Sequence, residues 1–206
     1  MLKMLAATTN KNKVREFQEI LEDLKDKIEI ITLDSIPNFP EIVEDGTTFE
    51  ENAMKKAKES SAFADMVAMA DDSGLVVEAL DGAPGIHSAR YAGEGATDAD
   101  RIAKLLKAME GVTDRRAKFV CAAAIAYRGE EVRIFVGEIK GTIALAPSGS
   151  NGFGYDPVFI PEGFDKSFAE LTDEEKNAVS HRGRAMRAVA GFLREEFEKM
   201  DDFEFV

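Results

Sequence analysis

Arg115 to Leu145 reads RRAKFVCAAAIAYRGEEVRIFVGEIKGTIAL, and the topology of the fold turns on it. Arg115 to Arg128 and Glu131 to Leu145 are two long β-type runs. Gly129 and Glu130 between them supply a tight turn, so the pair reads as an antiparallel hairpin. A sheet that contains such a hairpin is not purely parallel. Upstream, Leu2 to Thr8 reads as a short buried strand, after which Val14, Phe17, Leu21 and Leu24 recur at helical spacing through Lys25. Ile28 to Leu33 follows as a second strand, and Asp34 to Asp45, with its prolines, as irregular chain. Thr47 and Glu50 form a capping-box pattern for a helix whose apolar stripe is Phe49, Ala53, Ala57, Ser60 and Ala64. Another helix starts near Thr97, buries Ile102, Leu105, Leu106 and Met109, and stops at Gly111. Beyond the hairpin, Ala146 to Gly154 is a loop of small residues. Thr172 with Glu175 caps a further helix, and Met186, Val189, Ala190, Leu193 and Phe197 form the buried side of a C-terminal one. The acidic tail is expected to fray. No repeat or low-complexity linker divides the chain, which reads as one domain, 1–206.

Composition narrows the function. With 206 residues, 45% hydrophobic and 32% charged, the chain has globular chemistry, and no apolar run approaches the ~20 residues of a membrane span. Cys121 is the only cysteine and the N-terminus lacks a secretory pattern, so a cytoplasmic location is expected, without membrane association. A net charge of −13 argues against a nucleic-acid partner, because phosphate backbones are bound by clustered Lys and Arg. The same charge repels a small anion. A nucleotide substrate therefore requires a local cluster of cations, with a divalent ion to help reverse the field.

Several segments could carry chemistry. In Val67 to Gly93, VAMADDSGLVVEALDGAPGIHSARYAG, Asp71 and Asp72 end an apolar run, and Leu75 to Leu80 resumes it after a turn at Ser73 and Gly74. Adjacent carboxylates suit Mg²⁺, which takes one or two of them and completes its shell with water and phosphate oxygens. They equally suit a solvated turn. Thr8-Thr9-Asn10-Lys11-Asn12-Lys13 lies where a strand hands over to a helix, so free N–H groups and a lysine could meet phosphate, or Asn10 could be a plain helix cap. Ser180-His181-Arg182-Gly183, with Lys176 and Asn177 just ahead, is a second cationic cluster. Helical spacing puts Lys176 and Ser180 on one face, within reach of a phosphate or a base edge. Phe153-Gly154-Tyr155-Asp156 offers an aromatic ring between glycines that could stack on a planar base or pack in the core, with Asp156 or nearby backbone reading the base edge. Glu41 lies on the irregular loop, where an acidic side chain is ordinarily solvated.

Taken together, these segments resemble the inosine triphosphate pyrophosphatase family. The matching stretches are Thr8-x-Asn10-x-x-Lys13, Phe49-x-Glu51-Asn52-Ala53, Ala70 to Gly74, Gly82 to Arg90, Phe153 to Pro157 and Glu175 to Gly183, in the same order and spacing. Family members often carry a small residue where Thr9 stands. The resemblance implies an α/β fold, an elongated mixed sheet flanked by helices with two lobes around a cleft, and a homodimer. It assigns Thr8, Thr9, Asn10, Lys13 and Lys56 to the triphosphate, and Glu41, Asp71 and Asp72 to Mg²⁺ and water. Ser73, Phe153, Gly154, Tyr155, Asp156, Lys176, His181 and Arg182 fall around the nucleotide and its base. Asp72 is the candidate general base.

The expected activity is hydrolysis of non-standard purine nucleoside triphosphates (inosine, deoxyinosine, xanthosine) to monophosphate and pyrophosphate. A pyrophosphatase for modified pyrimidine or standard triphosphates is the alternative within enzymes. A purine-nucleotide-binding module without turnover is the alternative outside them, and three acidic residues speak against it because binding alone asks for cations.

Overall fold

The computed structural model describes residues 1–129 and 131–203, without the side chains of 131, 132 and 201–203. The expected turn residue Glu130 and the end of the acidic tail lie outside the described residues. One six-stranded sheet forms the frame, in the order β2-β1-β3-β4-β5-β6. Its strands are β1 Leu2–Ala6, β2 Ile28–Thr32, β3 Val67–Val77, β4 Arg116–Tyr127, β5 Glu131–Ile143 and the short β6 Phe159–Pro161. β1 runs parallel to β2 and β3, whereas β3, β4, β5 and β6 pair antiparallel, so the sheet is mixed, as the hairpin required.

Among the described residues five α-helices flank the sheet: α1 Lys11–Ile20, α2 Phe49–Ala64, α3 Asp98–Ala108, α4 Asp173–Val179 and α5 His181–Phe203. α3 starts where expected, after Thr97, which forms a capping box with Asp100, and the expected cap of α4 forms at Thr172 with Glu175. For α2 the cap sits one residue later than expected. Thr48 accepts from the Glu51 N–H, and the Glu51 carboxylate reaches back to Thr47. α1 ends at Ile20, short of Lys25, and a 3-10 turn over Glu22–Leu24 completes the segment.

β3 corrects the sequence reading most. The expected turn at Ser73 and Gly74 is absent, and the strand runs unbroken from Val67 to Val77 with every residue in register with β4. Turn propensity is a local preference, and pairing along the whole length of β4 overrides it.

Alternation along β3 then positions the site. Met69, Asp71, Ser73, Leu75 and Val77 share one face, and Ala68, Ala70, Asp72, Gly74 and Val76 the other. On the first face Met69 joins an apolar core with Met4, Phe17 and Met186, while Leu75 and Val77 join another with Leu105, Phe159 and Phe168. Asp71 and Ser73 fall in the polar strip between these two lobes. On the opposite face α2 lays Phe49, Ala53 and Ala57 on Ala70, Ala122 and Ala124.

Candidate active site

β1 pairs with β3 only as far as Met69, so beyond that residue the β1-side edge of β3 is open. A cleft of about 500 Å³ occupies that opening. Because it lies at a strand edge, side chains from both faces of the sheet reach it. The exposed backbone of the edge is satisfied by local groups: Lys56 Nζ donates to the Asp71 carbonyl at 2.7 Å, the Ser73 N–H donates to Asp72 Oδ1 at 2.9 Å, and the Leu75 N–H donates to Ser88 Oγ at 2.9 Å. At the mouth, β1 passes into α1 through Thr8, Thr9 and Asn10. Asn10 is the cap, its Oδ1 accepting from the N–H groups of Asn12 and Lys13.

Beneath the cleft floor runs a chain of buried ion pairs. Asp71, fully buried, accepts from Lys13 at 2.9 Å and from Arg182 at 3.2 Å. Arg182 also binds Glu16 at 2.6 Å and donates to Ser73 Oγ at 2.7 Å. Glu16 in turn meets Lys176 at 2.9 Å, and Lys176 meets Asp156 at 2.9 Å. Burial by itself would raise the Asp71 carboxyl, but Lys13, Arg182 and Lys56 outweigh it and hold the group well below the usual carboxylate range. Glu16 is lowered in the same way, burial being overcome by Arg182 and Lys176. The cation cluster that the acidic composition demanded is therefore present, each cation already standing on a carboxylate.

Asp72 is different. Burial raises its pKa, with Lys56 and Asn52 only partly offsetting the effect. Its Oδ2 accepts from Asn52 Nδ2 at 2.9 Å and its carboxylate faces the cleft. Asn52 Oδ1 accepts the Gly46 N–H at 2.8 Å, which fixes the amide so that its NH₂ must point at Asp72. Lys56 pairs with Glu44 on the loop before α2, so Glu44 also lines the cleft.

At the other end, the Phe153 ring has Lys176 Nζ 4.7 Å and Arg182 Cζ 5.6 Å from its centroid. The Phe153 N–H donates to Asp156 Oδ2 at 2.8 Å. His181 stacks on Phe119 with centroids 4.6 Å apart. Burial first, then the charges of Arg182 and Lys176, push its imidazole well below the ordinary value, so it is neutral. Its Nδ1 is buried without a partner and the ring borders the cleft.

Every substrate residue expected from the sequence borders this one cleft: Thr8, Thr9, Asn10, Lys13, Lys56, Ser73, Phe153, Gly154, Tyr155, Asp156, Lys176, His181 and Arg182, together with Asp72. Glu41 and Asp71 do not line it. Glu41 is exposed on the loop before α2, and Asp71 lies under the floor as a counter-ion. Among the described residues no three His, Cys, Asp or Glu side chains gather as a cage for a metal ion, so the expected trio of Glu41, Asp71 and Asp72 is not assembled. Ser180 also departs from expectation. It turns inward between α4 and α5, where its Oγ accepts the Gly183 N–H at 3.0 Å, and it does not share a substrate-facing surface with Lys176. Sequence reading passed over Glu16, Glu44, Asp98 and Arg101, and saw Asn52 and Ser88 only as parts of motifs. Polar residues on helices and loops carry no local mark of the partner that folding gives them.

Known proteins match this architecture over nearly its whole length. The model of the Ham1 family matches residues 4–192. The dITP/XTP pyrophosphatase of Desulfotalea psychrophila is 50% identical over 186 residues, 90% of this chain and 82% of the relative. That of Geobacter sulfurreducens is 48% identical over 195 residues, 94% of this chain and 97% of the relative. Among solved structures, a HAM1 protein from Coxiella burnetii superposes with a TM-score of 0.87 at 43% identity, covering 95% of this chain and all of that one (100%). The Staphylococcus aureus Ham1 protein gives 0.84 at 41% identity, covering 94% and 99%. The resemblance read from the motifs is borne out.

Proposed function

Because this chain belongs to the Ham1 family, we propose that its cleft hydrolyses non-standard purine nucleoside triphosphates, those of inosine, deoxyinosine and xanthosine, to the monophosphate and pyrophosphate. The observation that carries the reading is the meeting in one cleft of a helix N-terminus with two lysines, a water-facing carboxylate and an aromatic shelf. Lys13, Lys56 and the start of α1 receive the phosphate chain. Asp72 takes the proton of the water that attacks the α-phosphorus, and its raised proton affinity suits that task. Asn52 and the Ser73 N–H hold the carboxylate in place meanwhile. Phe153 stacks under the base while Arg182 and neutral His181 border its edge.

Mg²⁺ belongs to the same proposal. The donor chemistry fits a hard cation: Asp72 and Glu44 present carboxylates to the cleft, and Asp71 Oδ1 is buried without a partner close by. When bound, the ion would neutralise phosphate charge and acidify water. Two further parts of the proposal are a homodimer and a cytoplasmic setting. Ile134 and Val136 of β5, exposed at 39% and 52%, support an assembled state. The single cysteine, buried and free, supports a reducing compartment. Among the described residues no helix is long and apolar enough to cross a membrane.

The deciding measurement is pyrophosphate release from inosine triphosphate with and without Mg²⁺, beside adenosine and modified pyrimidine triphosphates. Binding without release would leave a nucleotide-binding module instead. Glu44→Gln and Glu41→Gln, compared by the Mg²⁺ concentration for half-maximal rate, assign the second carboxylate. The cleft geometry expects Glu44→Gln to move it.

A further inference from the structure

The aromatic shelf is held from outside its own segment. Gly154, whose φ of +63° places it in the left-handed region, directs its N–H at Asp98 Oδ2, 2.7 Å away and 56 residues earlier in the chain. Asp98 opens α3, and its other oxygen is paired with Arg101 one turn along the same helix. Arg101 is fixed in turn, donating to the carbonyls of Ala89 at 2.9 Å and Ala96 at 2.6 Å. Asp98 and Arg101 both border the cleft. The neighbouring Tyr155 hydroxyl donates to the Ser88 carbonyl at 2.9 Å, so the same stretch is moored a second time, to the 3-10 segment Gly85–Arg90.

We infer that Asp98, set by Arg101, is a positioning residue for base selection: it fixes the height and tilt of the Phe153 shelf through the Gly154 backbone. The inference rests on the proposed hydrolysis of purine triphosphates. Its physical basis is that hydrogen-bond discrimination at a base edge requires the base plane to be fixed, and the plane is fixed by the ring beneath it. The other ties of 153–156 are the Phe153 N–H to Asp156, the ion pair of Asp156 with Lys176, the packing of Lys176 and Arg182 on the ring, and the Tyr155 hydroxyl to Ser88; none of them holds the Gly154 N–H. Without Asp98 the Gly154 N–H loses its partner and the shelf can tilt. The bonds of Asp98 and Arg101 do not reach the phosphate end of the cleft at Lys13 and Lys56.

The test compares wild type, Asp98→Ala and Asp98→Asn by kcat/KM on inosine and adenosine triphosphates, with inhibition by inorganic tripolyphosphate as a probe that has no base. Asp98→Ala should reduce the preference for inosine over adenosine about tenfold, mainly through KM, with tripolyphosphate inhibition unchanged. Asp98→Asn keeps an oxygen for the Gly154 N–H and should recover most of the preference. A preference unchanged in Asp98→Ala overturns the inference, and so does an equal loss of tripolyphosphate binding, which would mark general disruption. If Asp98→Ala does not fold, as judged by circular dichroism, Asp98→Asn and Arg101→Met carry the comparison. Arg101→Met should then reduce the preference, and an undiminished preference in it overturns the inference. Wild type that fails to release pyrophosphate from inosine triphosphate would instead overturn the proposed function.

Discussion

Asp71 and Asp72 are neighbours in sequence and opposites in chemistry, because a strand sends consecutive side chains to opposite faces. Asp72 faces the cleft with its proton affinity raised by burial, and Asp71 is ionised beneath it between Lys13 and Arg182. Asp72→Asn should cut pyrophosphate release by a factor of about 10² or more while inosine triphosphate still binds, since general-base contributions fall in that range. Turnover against calorimetric affinity separates the two effects. Asp71→Asn should act on stability, because it leaves Lys13 without its carboxylate and the buried Arg182 with that of Glu16 alone, at a cost of about 3 kcal/mol. The folded pKa of Asp71 lies below its unfolded value, so its contribution is fully present above about pH 4 and is lost as pH falls through the folded pKa. The difference between wild type and Asp71→Asn in urea melts should therefore be wide at pH 7 and shrink in acid. Of these residues the sequence displayed the pair itself but not the division of labour. Lys13 and Arg182, which impose that division, stand 58 and 111 residues away from Asp71 along the chain.

At the scale of elements, legibility followed range. Caps and helical stripes are local, and the start of α3 near Thr97 with its apolar stripe, and the capping box of α4, were readable in the sequence. β3 was misread as two pieces because Asp-Asp-Ser-Gly has turn chemistry, and only β4 and the buried cations make those residues a strand. β6, three residues long, carries too little periodicity to be seen. One contact between elements matters for the site: α5 starts at His181 and packs its first turn against β5 at Gly137. A Cβ there would collide with the His181 carbonyl and come within 2.6 Å of the Ala185 N–H nitrogen. Gly137→Ala should cost about 1–3 kcal/mol in denaturant unfolding, as overpacking does elsewhere. By lifting His181 and Arg182 it should also raise KM for inosine triphosphate while Lys56 and Asp72 stay in place.

For the molecule as a whole, two sets of buried groups pull the pH dependence of stability in opposite directions. His181 is held neutral, so the unfolded chain binds its proton first, and stability falls as pH drops below about 6.5. Asp72 and Asp156 have raised pKa values, chiefly through burial, and favour the folded state as pH falls toward the carboxylate range. Subtracting the stability profile of His181→Gln from that of wild type should isolate the first effect. The expected difference slope is at most about 1.4 kcal/mol per pH unit between pH 5 and 6.5, and its absence would mean that His181 takes up its proton as readily in the fold as in the unfolded chain.

The open edge of β3 has a meaning beyond catalysis. An unpaired strand edge is a template on which the strand of another chain can dock, the first step of sheet-to-sheet aggregation. Here Lys56 and Ser88 occupy its backbone groups, and lysines and carboxylates surround it. The groups that would receive substrate thus also guard the molecule against its own kind, and a nucleotide lodged along that edge would act as a protectant against aggregation as well as a reactant.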